Sequence, residues 1–175
     1  MRRGDARWWA RAVRALLRVR PIYFVADLLT STRFLVEGES MAPALAPQQY
    51  VLVSRLAYRL GAPSRGDVVV AREPLRPEIL CIKRVAGLPG DEIWQQGGRL
   101  WVNGVLLHDG GKEAAPEILS RAPFEWLLGG GDYLVLGDNR DDSRDSRAFG
   151  PVTRDQIIGK VWFCYWPRER WGRVK

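Results

Sequence analysis

The chain holds two cysteines and one histidine in 175 residues, and these shortages narrow its chemistry before any motif is considered. Cys81 and Cys164 are too few for a disulfide framework and too far apart in sequence for a compact zinc motif. His108 lies beside the Asn103-Gly104 turn, away from the serine at 40 and the aspartates at 138–145, so a Ser-His-Asp triad has no well-placed base. No Walker-type phosphate loop occurs, and Gly87-Leu88-Pro89-Gly90-Asp91 reads as a turn between strands. Long apolar runs are missing as well. Six uncharged residues separate Arg20 from Asp27 and five separate Asp27 from Arg33, whereas a membrane span takes about 20 apolar residues. Signal-peptide architecture is also absent, since no uninterrupted apolar stretch follows the basic start. No cofactor is expected.

Charge is present in excess and unevenly placed. Of the net +7, residues 1–20 contribute +6 and residues 160–175 contribute +4, leaving a slightly acidic body. Basic ends suggest an anionic surface approached by the termini, with a solvated arginine tail as the plain alternative. At 3.6 residues per turn, Arg7, Arg11, Arg14 and Arg18 fall on one face and Trp9, Val13, Leu16 and Leu17 on the other. This basic amphipathic helix either lies at a membrane interface or packs on its own domain.

Beyond it, short β-branched and aromatic runs separated by Gly, Pro and Asp read as strands. They fall at 50–54, 67–71, 79–85, 92–94, 99–102, 105–107, 133–136 and 158–165. Asn103-Gly104 signals a type I′ hairpin. Residues 109–131, with Pro116, Pro123 and three consecutive glycines, read as a loop-rich segment with at most one short helix.

With histidine set aside, the candidate nucleophile is Ser40, in Ser40-Met41-Ala42-Pro43, and the candidate base is a lysine. Lysine serves as a base only when its pKa falls well below about 10.4. Lys83 sits in the apolar run Ile79-Leu80-Cys81-Ile82-Lys83-Arg84-Val85, where desolvation disfavours the ammonium form. Strand alternation sends Lys83 and Arg84 to opposite faces, so one of them faces inward, and Cys81 shares the face of Lys83.

Four segments, in order, resemble the boxes of type I signal peptidases. Ser40-Met41-Ala42-Pro43-Ala44-Leu45 resembles the Ser-Met-x-Pro-Thr-Leu box, and Arg65-Gly66-Asp67-Val68-Val69 the next. Lys83-Arg84-Val85-Ala86-Gly87-Leu88-Pro89-Gly90-Asp91 resembles the lysine box, and residues 137–152 the Gly-Asp-Asn box with its Ser-x-Asp-Ser-Arg core. The resemblance covers residues 34–167. Together with the strand-like runs it implies a mainly β fold: an antiparallel catalytic core of the signal-peptidase type with a small inserted β-hairpin and loop subdomain at 92–132, while the amphipathic helix and linker at 1–33 and the basic tail at 168–175 lie outside the resemblance.

The same resemblance implies roles. Ser40 attacks the scissile carbonyl, Lys83 takes its proton, and the Ser40 backbone N–H stabilises the oxyanion. Ser143 hydrogen-bonds and orients the lysine, Asp145 and Arg147 form a supporting ion pair, and Asp138 and Arg84 are structural partners. Met41, Pro43, Ile82 and Val85 are expected to form substrate pockets. Gly38 stands where some members have a serine that helps bind the oxyanion, Ala44 replaces a threonine, and Cys81 a frequent tyrosine. The implied substrates are preprotein signal peptides cut after an Ala-x-Ala-like stretch. No nucleic-acid partner is expected, and the oligomeric state is open.

Family members usually carry transmembrane helices ahead of the serine box, with the catalytic domain on the extracytoplasmic face. Here an arginine-striped helix stands in that place. The expectation is membrane association through a missing upstream segment, through residues 7–19, or through a partner, with Trp162, Trp166 and Trp171 as candidates for headgroup contact and core packing preferred for Trp162. Two alternatives remain: a Ser-Lys autoprotease like the LexA-type repressors, against which residues 1–33 offer no convincing helix-turn-helix, and a catalytically inactive β-domain that binds membrane or nucleic acid.

Overall fold

A computed structural model describes residues 28, 30–59, 61–96, 99–107 and 124–174. The amphipathic segment and His108 lie outside these residues. In chain order the strands are β1 (Thr32–Leu35), β2 (Tyr50–Ser54), β3 (Val68–Glu73), β4 (Arg76–Gly87), β5 (Glu92–Gln96), β6 (Arg99–Val102), β7 (Val105–Leu106), β8 (Phe124–Leu127), β9 (Asp132–Leu136), β10 (Val152–Thr153), β11 (Ile157–Trp166) and β12 (Gly172–Arg173). A short α-helix, α1 (Ser146–Phe149), follows β9.

The larger sheet runs β1-β2-β11-β3-β4-β9-β10, with β12 also on β11, and the smaller runs β7-β6-β5-β8. Every pairing is antiparallel. The expected mainly β, antiparallel architecture is what the described residues form.

Central strand β3 explains how one sheet is buried on both sides. Its Val68-Val69-Val70-Ala71 run has no polar break because alternate residues serve two cores. Val68 and Val70 join Val36, Met41, Leu45, Val51, Val53 and Val161. Val69 and Ala71 join Val85, Tyr133, Val135, Phe149 and Ile157. Each fully buried valine, leucine, isoleucine, phenylalanine or methionine among them contributes roughly 1.5–3 kcal/mol. A third cluster, Ile93, Leu100 and Val102 with Leu134, Leu136 and Ala86, seats the small sheet against the large one. Arg65 reinforces that joint: its Nη2 donates to Asp91 Oδ2 at 2.8 Å, and Asn103 Nδ2 donates to Asp91 Oδ1 at 2.7 Å.

The hairpin at Asn103-Gly104 has positive φ at both positions, 52° and 74°, as a type I′ turn requires. Two expectations need correction. Within the segment read as loop-rich, residues 124–127 form strand β8, paired with β5 through Trp126 opposite Ile93. Strand β4 starts at Arg76 rather than 79, since its exposed first residues are held by the ladder to β3 and carry no buried apolar pattern.

Candidate active site

Ser40 lies in the turn that leaves β1. Val36 closes the base of this excursion, donating its N–H to Gln49 at 2.8 Å and accepting from Gln48 at 2.7 Å. Within the turn, Ala42 N–H donates to Glu39 O and Leu45 N–H to Met41 O. Met41 and Leu45, each 1% exposed, anchor the turn in the core. This burial holds the half-buried Ser40 at the rim. Asn139 N–H donates to Ser40 O at 3.0 Å, fastening the Gly-Asp-Asn segment directly to the serine.

Lys83 enters from β4, paired with Val69 of β3. Of the two candidates at 83 and 84, the lysine is the inward one: it is 4% exposed. Its Nζ lies 2.7 Å from Ser40 Oγ. Among the described residues no carboxylate forms an ion pair with it. Burial is the main influence on its amine and lowers its pKa from the ordinary 10.5, with Arg147 acting in the same direction. Cys81, Asp145 and Asp138 pull the other way without prevailing. Cys81 stands on the same face two residues earlier, and burial pushes its thiol up to about 11 despite the nearby Lys83. Cys81 and Cys164 are both free.

The segment from Gly137 to Arg147 wraps this pair. Asp145 is fully buried. It accepts from Arg147 Nε at 2.8 Å, Arg147 Nη2 at 2.9 Å and Gly137 N–H at 3.0 Å, and it caps α1 by accepting from Arg147 N–H. Burial alone would raise its pKa; these donors outweigh burial and hold it low. Arg147 Nη2 also donates to Arg140 O, closing the loop on itself. Arg84 meets Asp138 in a two-pronged pair at 2.7 Å for each bond and donates to Gly66 O. Ser40, Lys83, Asp138, Arg84, Asp145 and Arg147 thus come together.

Three expected roles differ in the structure. Among the described residues, the buried Ser143 Oγ has no hydrogen-bond partner, so the expected bond to Lys83 is not made. It lies close enough to Asp145 to help lower that pKa, yet outside hydrogen-bonding geometry. Met41 and Val85, each 1% exposed, are core residues of the two faces, packed beneath the surface. Pro43 is exposed, and Ile82 is half-buried against the Met41 cluster.

Gly137 is a determinant that reading for functional groups passes over, because it has none. A Cβ there would collide with Ser143 Oγ and lie 2.5 Å from both Ser143 Cβ and the Ser40 carbonyl oxygen. Only glycine lets the loop approach the serine this closely. No group of side chains suited to holding a metal ion occurs among the described residues.

Signal peptidase IB of Staphylococcus aureus is 35% identical over 161 residues, covering 83% of either chain. A probable signal peptidase I-2 of Synechocystis is 36% identical over 142 residues, covering 78% of this chain and 64% of that one. A crystal structure of a signal peptidase I from Enterococcus faecalis aligns with a TM-score of 0.47 at 28% identity, over 57% of this chain and 96% of that one. The family described as "Signal peptidase, peptidase S26" matches residues 7–166, nearly the whole chain, and to that family the protein belongs.

Proposed function

We propose that Ser40 and Lys83 are the nucleophile and general base of this enzyme, a signal peptidase I that removes signal peptides from preproteins. The observation that carries the assignment is the 2.7 Å approach of Ser40 Oγ to a lysine that is 4% exposed. A neutral amine at that distance accepts the hydroxyl proton as Oγ bonds to the scissile carbonyl carbon. The backbone N–H of Ser40 is the proposed donor to the resulting oxyanion. Collapse breaks the C–N bond, and the Lys83 ammonium returns its proton to the leaving amine. Lys83, neutral again, deprotonates the water that attacks the ester, and the Ser40 hydroxyl is regenerated.

In this reading Asp145, Arg147, Asp138 and Arg84 supply a fixed frame, and Ser143 becomes a positioning hydroxyl only if its rotor turns toward Lys83. Substrate recognition after an Ala-x-Ala-like stretch falls to the rim around Pro43 and Ile82. The test is cleavage of such a preprotein in detergent by Ser40→Ala and Lys83→Met. Both variants should lose cleavage while keeping the wild-type circular dichroism spectrum; retained cleavage in either folded variant removes the assignment.

Approach to a membrane surface fits a set of exposed apolar side chains at the β1–β2–β11 edge. Leu35 pairs across the sheet with Tyr50, and Tyr50 with Trp166. The exposures of Leu35, Tyr50, Trp166 and Trp171 range from 40% to 63%. Aromatic rings at an interface suit the headgroup layer. Trp162 instead donates to Ser31 Oγ at 3.0 Å and is half-buried. Among the described residues, no helix is long and apolar enough to cross a membrane. A chain lacking residues 1–20 should co-sediment less with anionic vesicles, and undiminished binding would count against the basic N-terminal segment as an anchor.

A further inference from the structure

We propose that Glu73 is a positioning residue for this site, acting through an ion latch to Arg144 that clamps the 137–147 loop onto the strands carrying Lys83. Glu73 ends β3, four residues beyond Val69, the register partner of Lys83 on β4, and it is 3% exposed. A carboxylate covered from water needs hydrogen-bonding partners, because an unpaired one is destabilising. Its partners come from two directions. Arg76 Nε and Nη2 donate to Oε1 and Oε2 at 2.9 and 3.0 Å, from the turn beyond β3. Arg144 Nη2 and Nε donate to Oε1 at 2.8 and 3.2 Å, from the loop between Ser143 and Asp145.

Arg76 is three residues away and holds only its own turn. Arg144 is 71 residues away, so its pair joins the loop to the strands. Cys81 gives an independent sign of closeness: its thiol feels Lys83, Glu73 and Asp145 together. The latch therefore closes beside the wall of the lysine. Opening it would loosen the loop and admit water to the Lys83 amine. Relief of desolvation raises the pKa of the amine toward its ordinary value, so less of the base is neutral at a given pH. The groups facing Lys83 are Ser40 from its turn, Cys81 from β4, Asp138 from the segment after β9, and Asp145 and Arg147 from the latched loop.

This inference rests on the assignment of Ser40 and Lys83. The experiment measures kcat and KM against pH, with the full chain in detergent and an Ala-x-Ala preprotein. The variants are Glu73→Gln, Arg144→Met, the double variant, Arg144→Lys and Ser40→Ala. Arg144 is half exposed, so its replacement removes the latch without hollowing the core. Either single variant should lower kcat about 10- to 100-fold through misplacement, with KM held within about twofold. The acid limb should move to higher pH. The double variant should be no worse than the worse single, and Arg144→Lys should recover most of kcat. A lower melting temperature with unchanged kcat and acid limb in Arg144→Met, or additive losses in the double variant, would overturn the latch. Cleavage surviving in Ser40→Ala would instead overturn the catalytic assignment, so the two failures are distinguishable.

Discussion

Two lysines sit in one row of the large sheet, on either side of Val69: Lys160 pairs with it from β11 and Lys83 from β4. Paired residues point to the same face, so both amines begin from equivalent backbone positions. Their surroundings then diverge. Lys160 Nζ reaches Asp67 Oδ1 at 2.5 Å, and its side chain is 38% exposed. Asp67 is further held by the Tyr58 hydroxyl at 2.8 Å and the Ser64 N–H at 3.0 Å. Burial would raise the pKa of Asp67, but these donors lower it, and burial followed by the bond to Asp67 raises that of Tyr58. Lys83 meets a serine hydroxyl in place of a carboxylate and is almost wholly out of water. The sheet supplies position; the partner and the water decide whether a lysine is a structural cation or a base.

The comparison breaks most completely with the two lysine deletions. Lys83→Met should reduce kcat/KM by roughly 10⁴- to 10⁶-fold, the scale on which a nucleophile–base unit fails. Lys160→Met should keep cleavage within a few-fold and show its effect in a denaturant midpoint, a loss of about 1–3 kcal/mol for a charged hydrogen bond. Equal losses of activity in the two variants would erase the distinction.

Next in size is Gly137→Ala, which disturbs the Lys83 side alone. The added methyl strikes Ser143 and the Ser40 carbonyl, so kcat should fall about 10- to 100-fold, with a destabilisation of about 1–3 kcal/mol from overpacking. Kinetics and a melting curve check both parts.

Cys81→Asp would turn the Lys83 environment into that of Lys160. A carboxylate on the same face stabilises the ammonium form, so the acid limb of kcat/KM should rise by about one to three pH units. Activity lost near neutral pH should return in alkaline buffer. A profile that stays in place would show that Cys81 does not control the amine.

Asp67→Asn gives the smallest effect and the opposite sign of pH dependence. The depressed pKa of Asp67 means that its stabilisation is present above the unfolded carboxylate value of about 4 and is lost as pH falls through the lower folded value. Denaturant midpoints should therefore separate wild type from variant near neutrality and converge in acid, while cleavage changes little.

Much of this site is legible from residue order. An apolar run around Lys83 predicts a desolvated amine, and alternation pairs Cys81 with it and sets Arg84 opposite. The Tyr50–Ser54 and Arg99–Val102 strands emerge because their apolar and β-branched residues are bounded by turn formers. Strand β1 is not legible, since Thr32-Arg33-Phe34-Leu35 has a pattern too short to stand apart from its flanks, and its ladder with β2 defines it. Strand β8 hides beside prolines and glycines for the same reason. The state of the Ser143 hydroxyl, the core burial of Met41 and Val85, and the Glu73–Arg144 pair depend on long-range packing. Spacing along the chain carries no information about them.

Burial that lowers the pKa of Lys83 favours its neutral amine, and carbon-13 NMR titration of the lysine side chains reads that shift. The chain has four lysines, at positions 83, 112, 160 and 175. One resonance should titrate below 10.5, disappear in Lys83→Met, and follow the acid limb of kcat/KM. All four resonances titrating at or above the ordinary lysine value would show that Lys83 is an ordinary ammonium.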